Sequence, residues 1–249
     1  MLTLAIETSD RYGSVAITKG PTPLSVITVS STETHSRRLV PAIEWLVQRT
    51  GVDLQELDCI AVSLGPGSFT GIRIGLATAK GLALSLGIPM SGVPTIDAIA
   101  ARIPPIPGVL LCPVIDARRG RFYTSCYTAD RHNNCWHRIL PFHISTPIEL
   151  HSLMLDKGLL REAHKDNSHA MKPLVMFTGS AVATCEKEIE KVFAANLPLF
   201  APEHLWHPEA MAVAAISMRY METGDSHDGL QPIYVKPSQA EEKKQNQGP

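Results

Sequence analysis

The stretch from Cys59 to Leu86 restricts the fold more than any other. Cys59 to Leu64 is apolar apart from Ser63 and reads as a buried strand. It runs into Gly65-Pro66-Gly67-Ser68-Phe69-Thr70-Gly71, after which helical spacing continues to about Leu86. A buried strand feeding an apolar helix through a glycine-rich turn belongs to layered α/β architectures. Ile72, Ile74, Leu76, Leu82 and Leu84 point in several directions, so the helix is apolar nearly all round and is buried within the fold or against a partner. Gly71, Gly75, Ala79 and Ala83 recur every four residues, a stripe of small side chains that lets another helix approach closely. Arg73 and Lys80 mark its wet edge.

The turn invites comparison with phosphate-binding loops, because a helix N-terminus offers free N–H groups and glycine lets an anion approach backbone. Its details differ. Ile72 and Arg73 follow Gly71 where a P-loop needs Lys and Ser/Thr, and Thr70 occupies the third-glycine position of the dinucleotide fingerprint. A tight strand-to-helix turn capped by Ser68 or Thr70 accounts for the residues more simply.

Upstream, Leu2–Ile6, Ser14–Thr18 and Leu24–Val29 read as an antiparallel meander, followed by a helix over Ser36–Arg49. That helix has an apolar stripe of Leu39, Val40, Ile43, Leu46 and Val47. Trp45 falls on the opposite side with Arg38 and Arg49 as neighbours, and Pro41 lies near the start. An exposed tryptophan among arginines is the composition of a protein–protein hot spot, and equally of a surface ring covering its neighbours' aliphatic stems. Thr95–Ala101 is a further short helix. Pro104, Pro105, Pro107 and Gly108 then form the clearest boundary.

Beyond it the pattern restarts. Leu110–Ile115, Phe122–Tyr127 and His137–Ile144 read as strands and Pro147–Leu155 as a helix. A polar loop spans Glu162–His169, then come a strand at Leu174–Phe177 and helices at Val182–Phe193 and Pro208–Met221. Ala5-Ile6-Glu7-Thr8-Ser9 and Val114-Ile115-Asp116-Ala117-Arg118 both place an acid at the end of an apolar strand, a weak internal repeat that favours two related halves. The expected division is residues 1–104, completed by a C-terminal helix at about 207–222, then 105–206, with a disordered tail over 237–249.

With 249 residues, 44% hydrophobic and 19% charged, the chain is an ordinary globular sequence; a net charge of -1 argues against tight nucleic-acid binding by the chain alone. Five scattered cysteines give neither a disulfide framework nor a zinc site, which fits a reducing compartment. The N-terminus has no basic leader, and Ile72–Leu86 falls short of the roughly 20 residues of a membrane span, so a cytoplasmic location is expected. Glu7 and Asp116, facing one another across a cleft, would have the chemistry to hold Mg²⁺, or else each would hydrogen-bond its adjacent turn. Leu39 stands four residues after His35, where a second metal-binding histidine would be needed, and no G-x-S-x-G elbow occurs.

Ala5–Ser9, His35-Ser36, Gly65–Arg73, Ile115–Arg118 and Pro232-Ile233-Tyr234-Val235-Lys236 together resemble the bacterial TsaB (YeaZ) family, most strongly over Cys59–Pro94. The resemblance implies an α/β actin-like (ASKHA) fold of two duplicated halves. It also implies a non-catalytic subunit of the tRNA threonylcarbamoyladenosine (t6A) complex, which pairs with a TsaD-type catalytic subunit and helps recruit a TsaE-type ATPase. Glu7 stands where the family usually has aspartate, and Phe177-Thr178-Gly179-Ser180-Ala181 resembles the fold's adenosine-side loop with a single glycine. No catalytic, cofactor or metal residue is assigned. The candidate partner interface is Arg38, Ala42, Trp45, Arg49, Arg73, Gly75, Ala79, Lys80 and Ala83. A homodimer through the same helices and tRNA contact only within the complex complete the expected partners. An ATP-dependent small-molecule kinase and a peptidase-like protein are the alternatives.

Overall fold

Alternation along the first strand decides how the sheet is covered. In β1 (Leu2–Glu7), Leu4 and Ile6 face one side and Ala5 the other. The larger side chains pack with Leu39, Ile43 and Leu46 of α1 (His35–Thr50) and with Leu76, Ala79 and Ala83 of α2 (Phe69–Leu86). Ala5, Ala16 and Ala61 form a flatter surface under α6 (Ala210–Thr223). β1 pairs antiparallel with β2 (Tyr12–Lys19), and β2 with β3 (Thr22–Ser30). On the other flank β4 (Cys59–Gly65) and β5 (Met90–Pro94) join in parallel, giving the order β3-β2-β1-β4-β5. This computed structural model describes residues 1–30, 35–130, 135–160, 173–223 and 230–233. The polar loop expected at 162–169, the tail at 237–249 and Tyr234–Lys236 of the late motif lie outside them.

After the short helix α3 (Thr95–Ala100) the same topology recurs. β6 (Val109–Asp116) is flanked antiparallel by β7 (Phe122–Thr124) and then β10 (His143–Ser145), and in parallel by β11 (Leu174–Thr178) and β12 (Leu199–Phe200). The order β10-β7-β6-β11-β12 repeats the first sheet. α4 (Pro147–Asp156) and α5 (Val182–Val192) cover one face through Leu150, Met154, Cys185 and Ile189. The expected strand Phe122–Tyr127 breaks at Ser125 and Cys126. Its continuation, β8 (Tyr127–Asp130), pairs with β6 and with β9 (Cys135–Arg138). The expected strand His137–Ile144 likewise divides between β9 and β10. All five cysteines are free thiols.

The halves meet on a buried carboxylate. Asp97 of α3 accepts hydrogen bonds from Tyr127 Oη at 2.5 Å, from Tyr220 Oη at 2.9 Å and from Arg138 Nη1 at 3.4 Å. Those donors come from β8, α6 and β9, so one side chain joins three elements. Burial and the Asp97 charge push both tyrosine hydroxyls well above their ordinary range. Trp136 Nε1 adds a bond to Ile103 O at 2.7 Å.

Candidate functional site

The glycine-rich turn is held by contact with the β1–β2 connection. Ser68 N donates to Ser9 O at 2.6 Å, and Thr8 Oγ1 donates to Gly71 O at 2.8 Å. A Cβ at Gly67 would lie 2.2 Å from Ser9 O, one at Gly71 2.0 Å from Thr8 O, and one at Gly75 2.2 Å from Thr8 Oγ1. Close packing against Thr8 and Ser9 therefore requires glycine at these three positions. Ser68 is the cap of α2, its Oγ accepting from Gly71 N at 3.2 Å. The C-terminal segment returns to the same place, where Ile233 N donates to Leu64 O at 2.8 Å.

A cleft of about 490 Å³ opens between the halves, lined by Ser9, Asp10, Gly67, Asp116, Ser180 and His207 among others. Glu7 is not part of it. The parity that puts Ala5 against α6 also turns Glu7 into the interior, where it is fully buried. Its Oε1 accepts from Ser9 N and Ser9 Oγ, and Oε2 lies near the Ser63 hydroxyl. Burial raises its pKa from 4.5 to about 7, tempered by the Ser9 donors and by nearby Ser63. Asp116 is exposed, and its Oδ1 accepts from Arg118 N at 2.7 Å. Of the two arrangements the sequence left open, the facing pair is not formed, because Glu7 is sealed inside its sheet; each acid instead accepts from its adjacent turn, Glu7 from Ser9 and Asp116 from Arg118 N. Among the described residues no cluster of three or more His, Cys, Asp or Glu has metal-binding geometry.

The cleft does contain a pair that sequence reading missed. His207 Nδ1 lies 2.6 Å from Asp10 Oδ2, and its ring packs on Tyr12 with centroids 4.3 Å apart. Arg102 fixes this corner by donating to His207 O at 2.6 Å and pairing with Glu209 at 3.3 Å. Asp10 and His207 are 197 residues apart, and no local spacing signals their meeting. Among the described residues no hydroxyl or thiol is hydrogen-bonded to the His207 ring. His35 is held by Asp10 O at 2.8 Å, and burial lowers its pKa.

The helix residues separate into two groups. Gly75, Ala79 and Ala83 are buried against the chain's own sheet, Ala42 is half-buried in the same core, and Arg38 donates to Val29 O at 3.1 Å. The small stripe thus serves internal packing, a correction to the expectation that it meets a partner. Val40, expected in the apolar stripe of α1, is 49% exposed. The outward face of α2 carries Phe69, Arg73, Ala77, Lys80, Gly81 and Leu84, of which Leu84 is 87% exposed. Arg73 stacks on Phe69 at 3.8 Å. On α1, Arg49 stacks at 5.4 Å on Trp45, itself 43% exposed.

The family described as TsaD: tRNA N6-adenosine threonylcarbamoyltransferase matches residues 26–244. The tRNA threonylcarbamoyladenosine biosynthesis protein TsaB of Bacillus subtilis is 32% identical over 98% of this chain and 97% of its own length. The chain belongs to the TsaB family. The Escherichia coli TsaB protein is 36% identical over 55% of this chain and 59% of its own length. Among solved structures, YeaZ from Pseudomonas aeruginosa superposes with a TM-score of 0.69 at 20% identity, covering 94% of this chain and 99% of its own. A ROK hexokinase from Thermus thermophilus superposes with a TM-score of 0.50 at 11% identity over 91% of this chain and all of its own, 100%. The family's fold is thus the α/β actin-like one with duplicated halves. No helix among the described residues is long and apolar enough to cross a membrane.

Proposed function

We propose that this chain is the non-catalytic subunit of a tRNA threonylcarbamoyladenosine-forming complex, binding and supporting a TsaD-type catalytic subunit through the outer face of α1 and α2. The observation that carries this reading is the apolar surface left open there. Leu84 is 87%, Trp45 43% and Phe69 39% exposed on two adjacent helices. Such a surface is costly in an unpartnered chain and supplies binding free energy once covered. Ala77 and Gly81, one turn apart, are exposed between Arg73 and Leu84, and a Cβ at Gly81 would meet nothing within 4 Å. A second helix can therefore approach the α2 backbone closely from outside.

Arg49, Arg73 and Lys80 supply the polar edge of this interface. Residues 1–104, with the helix at about 207–222, form the partner-binding half. A TsaE-type ATPase and tRNA join only in the assembled complex, and in the isolated chain the same face pairs with a second copy. The kinase alternative is weakened by the sealed Glu7, and the peptidase alternative by a His207 ring that no hydroxyl or thiol contacts among the described residues. Leu84→Arg and Trp45→Ala, both at exposed positions, should leave the chain folded. Each should reduce co-purification with the catalytic subunit by at least tenfold and lower t6A formation in the reconstituted assay. Undiminished pairing by both folded variants would refute the interface.

A further inference from the structure

The β6–β7 connection is built from residues that a tight hairpin disfavours. Ala117 N donates to Arg121 O at 2.9 Å and Arg121 N to Arg118 O at 3.2 Å, closing a turn whose central residues are Arg119 and Gly120. Their φ values of 57° and 69° follow the type I′ pattern, which selects Asn, Asp or Gly. Arg118 is left-handed as well, at 67°. Glycine takes this conformation freely; each arginine gives up stability that Asn would retain. Among the other described non-glycine residues only Leu197 has a positive φ.

The two guanidinium groups are also unspent. Both arginines are exposed, and neither side chain has an ion pair or hydrogen bond with a described residue, whereas Arg121 is paired with Glu149 at 3.3 Å. Arg118 and Arg119 border a cavity of about 630 Å³ shared with Asp116, Thr184, Cys185 and Glu188, and Arg118 also reaches the cleft between the halves. Asp116, whose carboxylate accepts from Arg118 N, and Glu188 both remain as opposing charges. A free small anion is therefore poorly held, whereas an extended polyanion anchored elsewhere can meet Arg118 and Arg119 along its edge.

We propose that the Arg118-Arg119 turn is a contact site for backbone phosphates of the RNA substrate, used once the catalytic subunit has bound that RNA. The turn places two adjacent exposed arginines beside the cleft, Arg118 in its lining. This site rests on the tRNA-modifying role proposed above, and it explains how a chain of net charge -1 touches RNA without binding it tightly alone.

The test is tRNA binding by the assembled heterodimer with Arg118→Asn/Arg119→Asn. Asn suits the left-handed turn, so the melting temperature should hold or rise, and pairing measured by size-exclusion chromatography should be unchanged. Loss of two phosphate contacts should weaken tRNA binding by about 30-fold at 0.15 M salt and reduce the slope of log K against log salt by about 1.8. Arg118→Lys/Arg119→Lys should recover most of both. Unaltered affinity and slope in the paired Asn variant would overturn the proposal. So would loss of pairing, which would assign the turn to protein contact. Saturable binding of ATP or inorganic phosphate to the isolated chain, abolished by the Asn variant, would assign it to a small phosphate ligand instead. Failure of the wild-type chain to pair at all would sink the complex reading itself, a result separable from the others.

Discussion

Replacing Glu7 by Gln removes an ionisable group that sits wholly inside the first sheet while nearly preserving its shape. In the folded chain the carboxyl titrates at about 7, against 4.5 when exposed. Below pH 4.5 it is protonated in both states and contributes nothing to the pH dependence. As pH rises from 4.5 to 7 the unfolded chain releases this proton while the folded chain retains it, so stability falls; above 7 the loss levels off. At roughly 1.4 kcal/mol per pKa unit, the full effect is roughly 3 kcal/mol, or about 6–12 °C in melting temperature for a chain of this size. Any loss from imperfect amide geometry is present at every pH and cancels when pH 5 is compared with pH 8.5. The Gln side chain can still accept from Ser9 N and Ser9 Oγ, and its amide NH₂ takes the place of Oε2 beside the Ser63 hydroxyl, which can accept from it. Urea denaturation of wild type and Glu7→Gln at both pH values measures the difference directly. The variant should gain on the wild type by roughly 3 kcal/mol between pH 5 and 8.5. Parallel pH profiles, or a variant that loses ground as pH rises, would refute the assignment of a buried carboxyl that ionises near neutrality.

Two further outcomes follow from the packing. Asp97→Ala would strip three donors of their common acceptor and leave Tyr127 and Tyr220 hydroxyls buried without it, so a loss of about 3–5 kcal/mol is expected in equilibrium denaturation. Gly71→Ala and Gly81→Ala fall at a buried and an exposed position of the same helix and should act in opposite directions. The first forces a Cβ to 2.0 Å from Thr8 O and should cost more than about 2 kcal/mol, while the second meets open space and should gain about 1 kcal/mol of helix propensity. Thermal melts of the pair decide whether the inner and outer faces of α2 are assigned correctly.

Where periodicity was strong, the sequence was a good guide. Leu39, Ile43 and Leu46 identify the buried side of α1, and the strand pattern restarting at Leu110 matches a second sheet with the strand order of the first. The α2 helix is less legible because it is apolar nearly all round, so spacing alone cannot say which side meets the sheet. The stripe Gly71–Ala83 has the composition of a helix–helix contact, yet it packs on the chain's own sheet, with Gly71 and Gly75 against Thr8, 63 residues before Gly71, and Ala79 and Ala83 in the core with Leu4 and Ile6. β5 escaped notice because Met90-Ser91-Gly92-Val93-Pro94 is short and carries Gly and Pro. Gly92 is needed there, since a Cβ would fall 2.5 Å from Leu64 Cδ1. For Glu7 the sequence left a cleft position and a bond to the adjacent turn open; strand parity groups it with Ala5, and only the covering of that face by α6 makes it interior. Asp10 and His207 meet only through the tertiary fold, and no pattern within either segment announces it.

The Asp97 junction bears on how the two halves can move. Rotating one half against the other would require breaking, within a buried site, bonds that reach one carboxylate from β8, β9 and α6. A hinge restrained in this way has few alternative angles to populate, so docking need not suppress a swinging motion first. The orientational entropy that a loose two-lobed molecule would lose on association is already removed during folding, and more of the contact energy of α1 and α2 survives as affinity.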